Sequence, residues 1–187
     1  MAIVKIYNNP SDFILLEDLT EIQESLKEIN IDIAKWHTLS QLTLDASQEQ
    51  VLEHYQKEVL DIKEKHGFKG VDVIVMHPNM PVNKITELRN KFLSEHIHSD
   101  DEVRYFVEGQ GLFCIHGANS KIYLILCQQG DFIAVPAGIK HWFDMGSKPN
   151  FKCIRFFGDE RGWIAEYTGD DIARKYPTIE NFSEQYV

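Results

Sequence analysis

Two histidines and a glutamate lie close together in Glu95-His96-Ile97-His98-Ser99-Asp100-Asp101-Glu102, and a third histidine, His141, follows about forty residues on. In an extended strand, side chains two apart share a face. His96 and His98 then look into one cavity while Ile97 looks away. Glu102 has the same parity, as do Phe92, Arg104 and Phe106. The polar step Ser99-Asp100-Asp101 interrupts this register, so spacing places the histidine pair more firmly than Glu102. In Gly130-Asp131-Phe132-Ile133-Ala134-Val135-Pro136-Ala137-Gly138-Ile139-Lys140-His141, proline and glycine force a turn. A strand opening at His141 can then be laid beside the first. Neutral imidazole nitrogens with one carboxylate suit a borderline divalent ion such as iron, nickel, manganese or zinc. Four protein donors on a six-coordinate ion would leave two positions for a substrate, as a catalytic site requires. An HxH pair alone is weak, because two histidines on a strand face are more often ordinary polar residues. The spaced glycine, proline and histidine of the second stretch argue against coincidence.

Short apolar stretches cut by turns must position these residues. Strands are predicted at Glu102 to Glu108, Leu112 to His116, Lys121 to Cys127, Phe132 to Val135, Trp142 to Met145 and Phe151 to Phe157. Gly109-Gln110-Gly111, Gly117-Ala118-Asn119-Ser120, Gln129-Gly130, Pro136-Ala137-Gly138 and Lys148-Pro149-Asn150 punctuate them. Regular strands joined by such turns predict a β-barrel or sandwich. Up to about residue 92 helical spacing dominates: Leu16, Leu19, Ile22 and Leu26 form one stripe. Val51, Tyr55, Val59 and Ile62, between Asp45 and the Gly67 stop, form another. Residues 71 to 78 interrupt them as a strand, and residues 81 to 92 return to a helix. A further helix is predicted around Asp170 to Lys175. One domain over 1–187 is expected, with a helical part to about 92, a β-core from 93 to 158 and a C-terminal segment from 159 to 187. His37, His54, His66 and His77 show no partner spacing, and His116, ending a strand, is expected to face solvent.

The chain has 187 residues, 43% of them hydrophobic, and a formal net charge of -10. Such acidity repels phosphate backbones and anionic lipid heads, so neither nucleic acid nor membrane is expected as a partner. No apolar run reaches a membrane-spanning length, and no secretory signal is visible at the N-terminus. Three cysteines, Cys114, Cys127 and Cys153, lack CxxC spacing. Buried thiols in a reducing cytoplasm are expected.

The two motifs resemble the cupin superfamily signatures, from His96 through His98 and Glu102 to Gly109, and from Gly130 through Pro136 and Gly138 to His141. Asn90 and Met145 depart from them, standing where glycine and asparagine are common. A narrower resemblance is to the acireductone dioxygenase family of methionine salvage. It rests on NKFLSEHIHSDDEVRYFVEGQGLF, GDFIAVPAGIKHWFDMG and RFFGDERGWIAEYTGDDIARKYP, about half the chain. The resemblance implies a mostly β, cupin-type jelly roll with peripheral helices. It also implies one Fe2+ or Ni2+ ion on His96, His98, Glu102 and His141. Arg104 would pair with an oxygen of the substrate, Phe92, Phe106 and Phe143 would line the pocket around its methylthio tail, and Arg155 would also reach the site. The substrates implied are acireductone and dioxygen, and a monomer is expected. Another cupin metalloenzyme, an isomerase or diketone oxygenase, and a non-catalytic cupin that binds a small ligand are the competing readings.

Overall fold

The computed structural model describes residues 1–36, 42–43, 46–158 and 164–184. His37, Asp45 and residues 159–163 of the third motif lie outside the described residues. Among the described residues are eleven strands: β1 (Ile3–Asn9), β2 (Asp12–Leu16), β3 (Asp32–Lys35), β4 (Gly70–Met76), β5 (His96–Ile97), β6 (Glu102–His116), β7 (Ile122–Gln128), β8 (Asp131–Val135), β9 (Lys140–Asp144), β10 (Phe151–Phe157) and β11 (Glu166–Tyr167). The helices are α1 (Leu19–Lys27), α2 (Gln48–His54), α3 (Gln56–His66), α4 (Val82–Leu93) and α5 (Ile179–Glu184). The helix expected near Asp170 is a 3-10 turn, Ile172–Lys175.

All strand pairings are antiparallel, and the two expected strands on either side of Gly109-Gln110-Gly111 are one strand, β6. Its first half pairs with β8 and β10, and its second half with β7 and β9, so one strand belongs to two sheets. One layer runs β11-β5-β9-β6-β7-β1-β2; the other holds β3, β8, β6, β10 and β4. The main core lies between them, with Phe106, Phe113, Ile115, Ile125, Ile133, Phe143 and Cys153 buried together. Helices α2 and α3 cover the outside of the second layer, where Val51, Tyr55, Val59 and Ile62 meet Val103, Tyr105 and Phe156. Those are the residues of the second predicted stripe. No helix among the described residues is long and apolar enough to cross a membrane.

The region expected to be helical to residue 92 holds the strand expected at 71 to 78, as β4, and three that were not expected, β1, β2 and β3. β1 escaped the period because both its faces are covered: Val4 and Ile6 enter the main core, while Tyr7 joins the outer cluster with Trp142 and Phe182. A strand buried on both sides shows an apolar run rather than alternation. Leu16 is likewise the end of β2, and α1 begins at Leu19 with the Asp18 carboxylate accepting from the amides of Thr20 and Glu21.

β6 turns from one sheet to the other at a bulge. Phe106 pairs with Cys153 and Glu108 with Lys152, leaving Val107 as the extra residue. Gly109 follows at φ 75°, and a Cβ there would stand 1.9 Å from the Asn150 carbonyl oxygen. Left-handed backbone costs an alanine about 1–2 kcal/mol, and the clash with backbone adds to it. Gly109→Ala is therefore expected to lower the melting temperature by at least about 5 °C. A scan by circular dichroism within 1 °C of the parent would contradict this reading of the bend.

Candidate metal centre

His96 and His141 are directly paired across β5 and β9, and His141 in turn faces Ile115 of β6. Their rings stand 4.5 Å apart, and His98 lies 4.9 Å from His96 and 5.2 Å from His141. The strand through the first motif does break, as its polar step suggested: β5 ends at Ile97 and β6 opens at Glu102. The intervening corner is pinned from both sides. Asp100 accepts from the Gly158 amide at 2.7 Å, Asp101 from the Ala137 amide at 2.9 Å, and the His98 carbonyl from the Gly138 amide at 2.9 Å. The corner returns Glu102 to the histidines despite the lost register. One donor atom from each of His96, His98, Glu102 and His141 lies within 4.8 Å of the others, and all four residues are buried. Among the described residues this cluster could hold a metal ion.

The donor chemistry fits a cation. Each histidine donates its Nδ1 proton to a backbone carbonyl: His96 to Ser94 at 2.7 Å, His98 to Ile164 at 2.9 Å and His141 to Ile139 at 2.8 Å. In the neutral ring Nε2 then carries a lone pair. Glu102 Oε2 lies 2.8 Å from Nε2 of His141 and 3.2 Å from Nε2 of His98. Lone pairs at such distances repel unless a proton or a cation lies among them, and one divalent ion meets the need of all four donors. Burial, with the nearby His141 ring, pushes His96 down to about 4, so it offers a neutral nitrogen across the physiological range. Burial also works against charge on His98, but hydrogen bonding to Glu102 and its negative charge move His98 up. For Glu102, burial favours the neutral acid; the Arg104 guanidinium and the hydrogen bonds with His141 and His98 hold it well below the usual carboxylate range.

Arg104 is only 5% exposed. A buried guanidinium requires an anion, and Glu102 Oε1 lies 2.7 Å from its Nη2. Glu102 is thus divided, one oxygen to Arg104 and the other to the histidines. The guanidinium also lies over the rings of Phe143, at 4.6 Å, and Phe113, at 5.1 Å. Phe143 can lie close to β6 because Gly111 has no side chain: a Cβ there would stand 2.3 Å from Phe143 Cζ. Half-buried Phe92, from the end of α4, meets Phe143 edge-on at 6.4 Å. Phe106 is fully buried and sits deeper, beside Phe113 and Phe151. Arg155 lies opposite Arg104 in the β10–β6 register, and Asp72 of β4 takes its Nε at 2.8 Å and its Nη2 at 2.5 Å.

Two neighbours of the site escaped the sequence reading. Phe113 has the wrong parity until the bulge at Val107 reverses it, which no spacing rule reveals. His116 does not face solvent: its side chain is 22% exposed and its Nδ1 lies 2.7 Å from the buried Glu95 carboxylate. All three cysteines are buried thiols, as expected.

Known proteins agree with this architecture. The sequence pattern of the ARD/ARD' family matches residues 5–165. An acireductone dioxygenase of Aquifex aeolicus is 48% identical over 183 residues, covering 96% of this chain and 97% of that protein. One of Hahella chejuensis is 44% identical over 189 aligned positions, covering 99% of this chain and all of that protein. Among solved structures, the acireductone dioxygenase of Bacillus anthracis with a cadmium ion in its active center superposes with a TM-score of 0.76 at 28% identity, covering 89% of this chain and 98% of that one. With a pattern spanning most of its length and relatives near half-identical end to end, the chain belongs to the ARD/ARD' family of acireductone dioxygenases.

Proposed function

We propose that the chain cleaves 1,2-dihydroxy-3-keto-5-methylthiopentene with dioxygen, using one Fe2+ or Ni2+ ion held by His96, His98, Glu102 and His141. The observation that supports this most is the convergence of four buried donors within 4.8 Å, their three Nδ1 protons already spent on carbonyls. The bound ion would supply Lewis acidity that favours the electron-rich enediolate form of the substrate. Nickel has the higher intrinsic affinity for such a nitrogen-and-oxygen set, so supply in the cell decides which metal is carried.

The protein's own part is electrostatic and steric. Arg104 keeps Glu102 ionised and contributes positive charge beside the anionic substrate. Phe143, Phe113 and Phe92 form an apolar wall suited to the methylthio tail, and a wall of rings excludes water from the reacting end. Phe106 supports that wall from below. Arg155, held by Asp72, contributes charge on the same face and is assigned no direct contact.

Metal-free protein loaded separately with Fe2+ and Ni2+ tests the proposal. With iron, uptake of dioxygen should accompany formate and 2-keto-4-methylthiobutyrate. With nickel, formate, carbon monoxide and methylthiopropionate should appear in equal amounts. Metal-replete, folded protein that consumes no dioxygen with this substrate would turn the reading toward another cupin enzyme.

A further inference from the structure

The peptide that carries His96 is anchored from behind by a carboxylate that the metal centre does not use. The Glu95 side chain is 0% exposed. A carboxylate so placed is costly unless both oxygens are engaged, and here they are. Oε1 accepts from Nδ1–H of His116 at 2.7 Å, and Oε2 accepts from the Thr168 hydroxyl at 2.6 Å. Since an ionised carboxylate accepts and cannot donate, both protons come from the partners. The Glu95 carbonyl is held as well, by the Thr168 amide at 3.1 Å.

These partners come from segments that flank the ligands. His116 ends β6 and pairs with Lys140, the neighbour of His141; Thr168 follows Tyr167, which pairs with His96. β5 is two residues long and has little ladder of its own to fix its direction. One peptide before Glu95, the Ser94 carbonyl takes the Nδ1 proton of His96 at 2.7 Å, which fixes which nitrogen faces the cluster. A swing of the Ser94–Glu95–His96 backbone would therefore strip a buried carboxylate of its donors. The residues before the other two histidines offer nothing comparable, Ile97 being apolar and Lys140 exposed.

We infer that Glu95, held by His116 and Thr168, is a positioning residue for His96, fixing the aim of its Nε2 and so the affinity of the centre for a divalent ion. The inference rests on the metal assignment proposed above. The test is a titration of metal-free, full-length protein with Ni2+ against a chromophoric chelator, which reads affinity without activity, while circular dichroism on the same samples gives the folded fraction. Glu95→Gln keeps the shape but sets an amide where a donor already points, and is expected to weaken nickel binding roughly tenfold or more. Thr168→Val keeps the volume and removes the hydroxyl, so a loss of about threefold is expected, with Thr168→Ser restoring the parent affinity. The Thr168 pair decides the matter if Glu95→Gln does not fold. Folded Glu95→Gln binding nickel within twofold of the parent, or Thr168→Val and Thr168→Ser binding it equally, overturns the inference. A parent protein that takes up no nickel overturns the metal assignment itself, and this inference with it.

Discussion

Glu102→Gln protein is expected to bind divalent metal more than about a hundredfold more weakly than the parent, and to lose oxygen uptake with it. Of the four clustered donors, Glu102 is the one anion, and its Oε2 approaches two imidazole nitrogens at 2.8 and 3.2 Å. Glutamine keeps the outline but removes the charge, and its amide must aim either oxygen or nitrogen at the histidines. Aimed as nitrogen, it donates to the Nε2 lone pairs that the metal needs. Aimed as oxygen, it turns its amide hydrogens on Arg104, which then has no anion at 2.7 Å. Neither arrangement restores the site, so metal loss should persist at any added concentration near the parent's requirement. His96→Ala is the useful companion, because it removes one of the proposed ligands while leaving the Glu102–Arg104 pair intact. Both should lose metal, but Glu102→Gln alone should also disturb the buried charge balance and melt earlier in the metal-free state. Elemental analysis finding a full equivalent of metal in folded Glu102→Gln would remove Glu102 from the centre.

The parts of this site that sequence made legible are those where chemistry dictates residue type. Only a few side chains ligate borderline metals, so His96, His98, Glu102 and His141 stood out, and the glycines and proline before His141 marked the turn that returns it. What spacing hid was geometry made elsewhere. Parity placed Glu102 beside the histidines for a reason that does not hold, since the strand breaks at residues 98–101 and the corner is rebuilt by amides from Gly158 and Ala137. The bulge at Val107 reverses parity along β6 and turns Phe113 into the main core between the layers, while Leu112 packs into the outer cluster. Half-buried His116 looked like a surface residue, and nothing marked buried Glu95, because their pairing spans separate segments. β1 was hidden for a different reason: it is covered on both faces, and even Lys5 is 1% exposed within it.

Arg104→Met is expected to destabilise metal-free protein far more than metal-loaded protein. Methionine keeps most of the apolar contact over the Phe113 and Phe143 rings, so the main loss is the guanidinium 2.7 Å from Glu102 Oε1. Removing one partner of a buried ion pair costs about 3–5 kcal/mol, because the other charge is left without compensation. For a chain of this size that corresponds to a fall of about 10 °C in melting temperature. A divalent ion at Glu102 supplies a second source of compensation, so loading with Ni2+ should cut the deficit by more than half. The pH dependence has a definite sign. In the parent, Arg104 helps hold Glu102 well below its ordinary value of 4.5, so the pair's stabilisation is complete above pH 4.5 and fades as pH falls through the depressed folded value. In Arg104→Met the carboxyl protonates at higher pH and sheds its unpaired charge. The difference between parent and variant should therefore be greatest near neutrality and shrink as pH falls from the variant's carboxyl value toward the parent's depressed one. An equal deficit with and without metal would make Arg104 a packing residue, and no deficit at all would show that the pair does not matter to the fold. Once the variant is saturated with metal, a fall in kcat/KM that remains would support the proposed contact of Arg104 with the substrate.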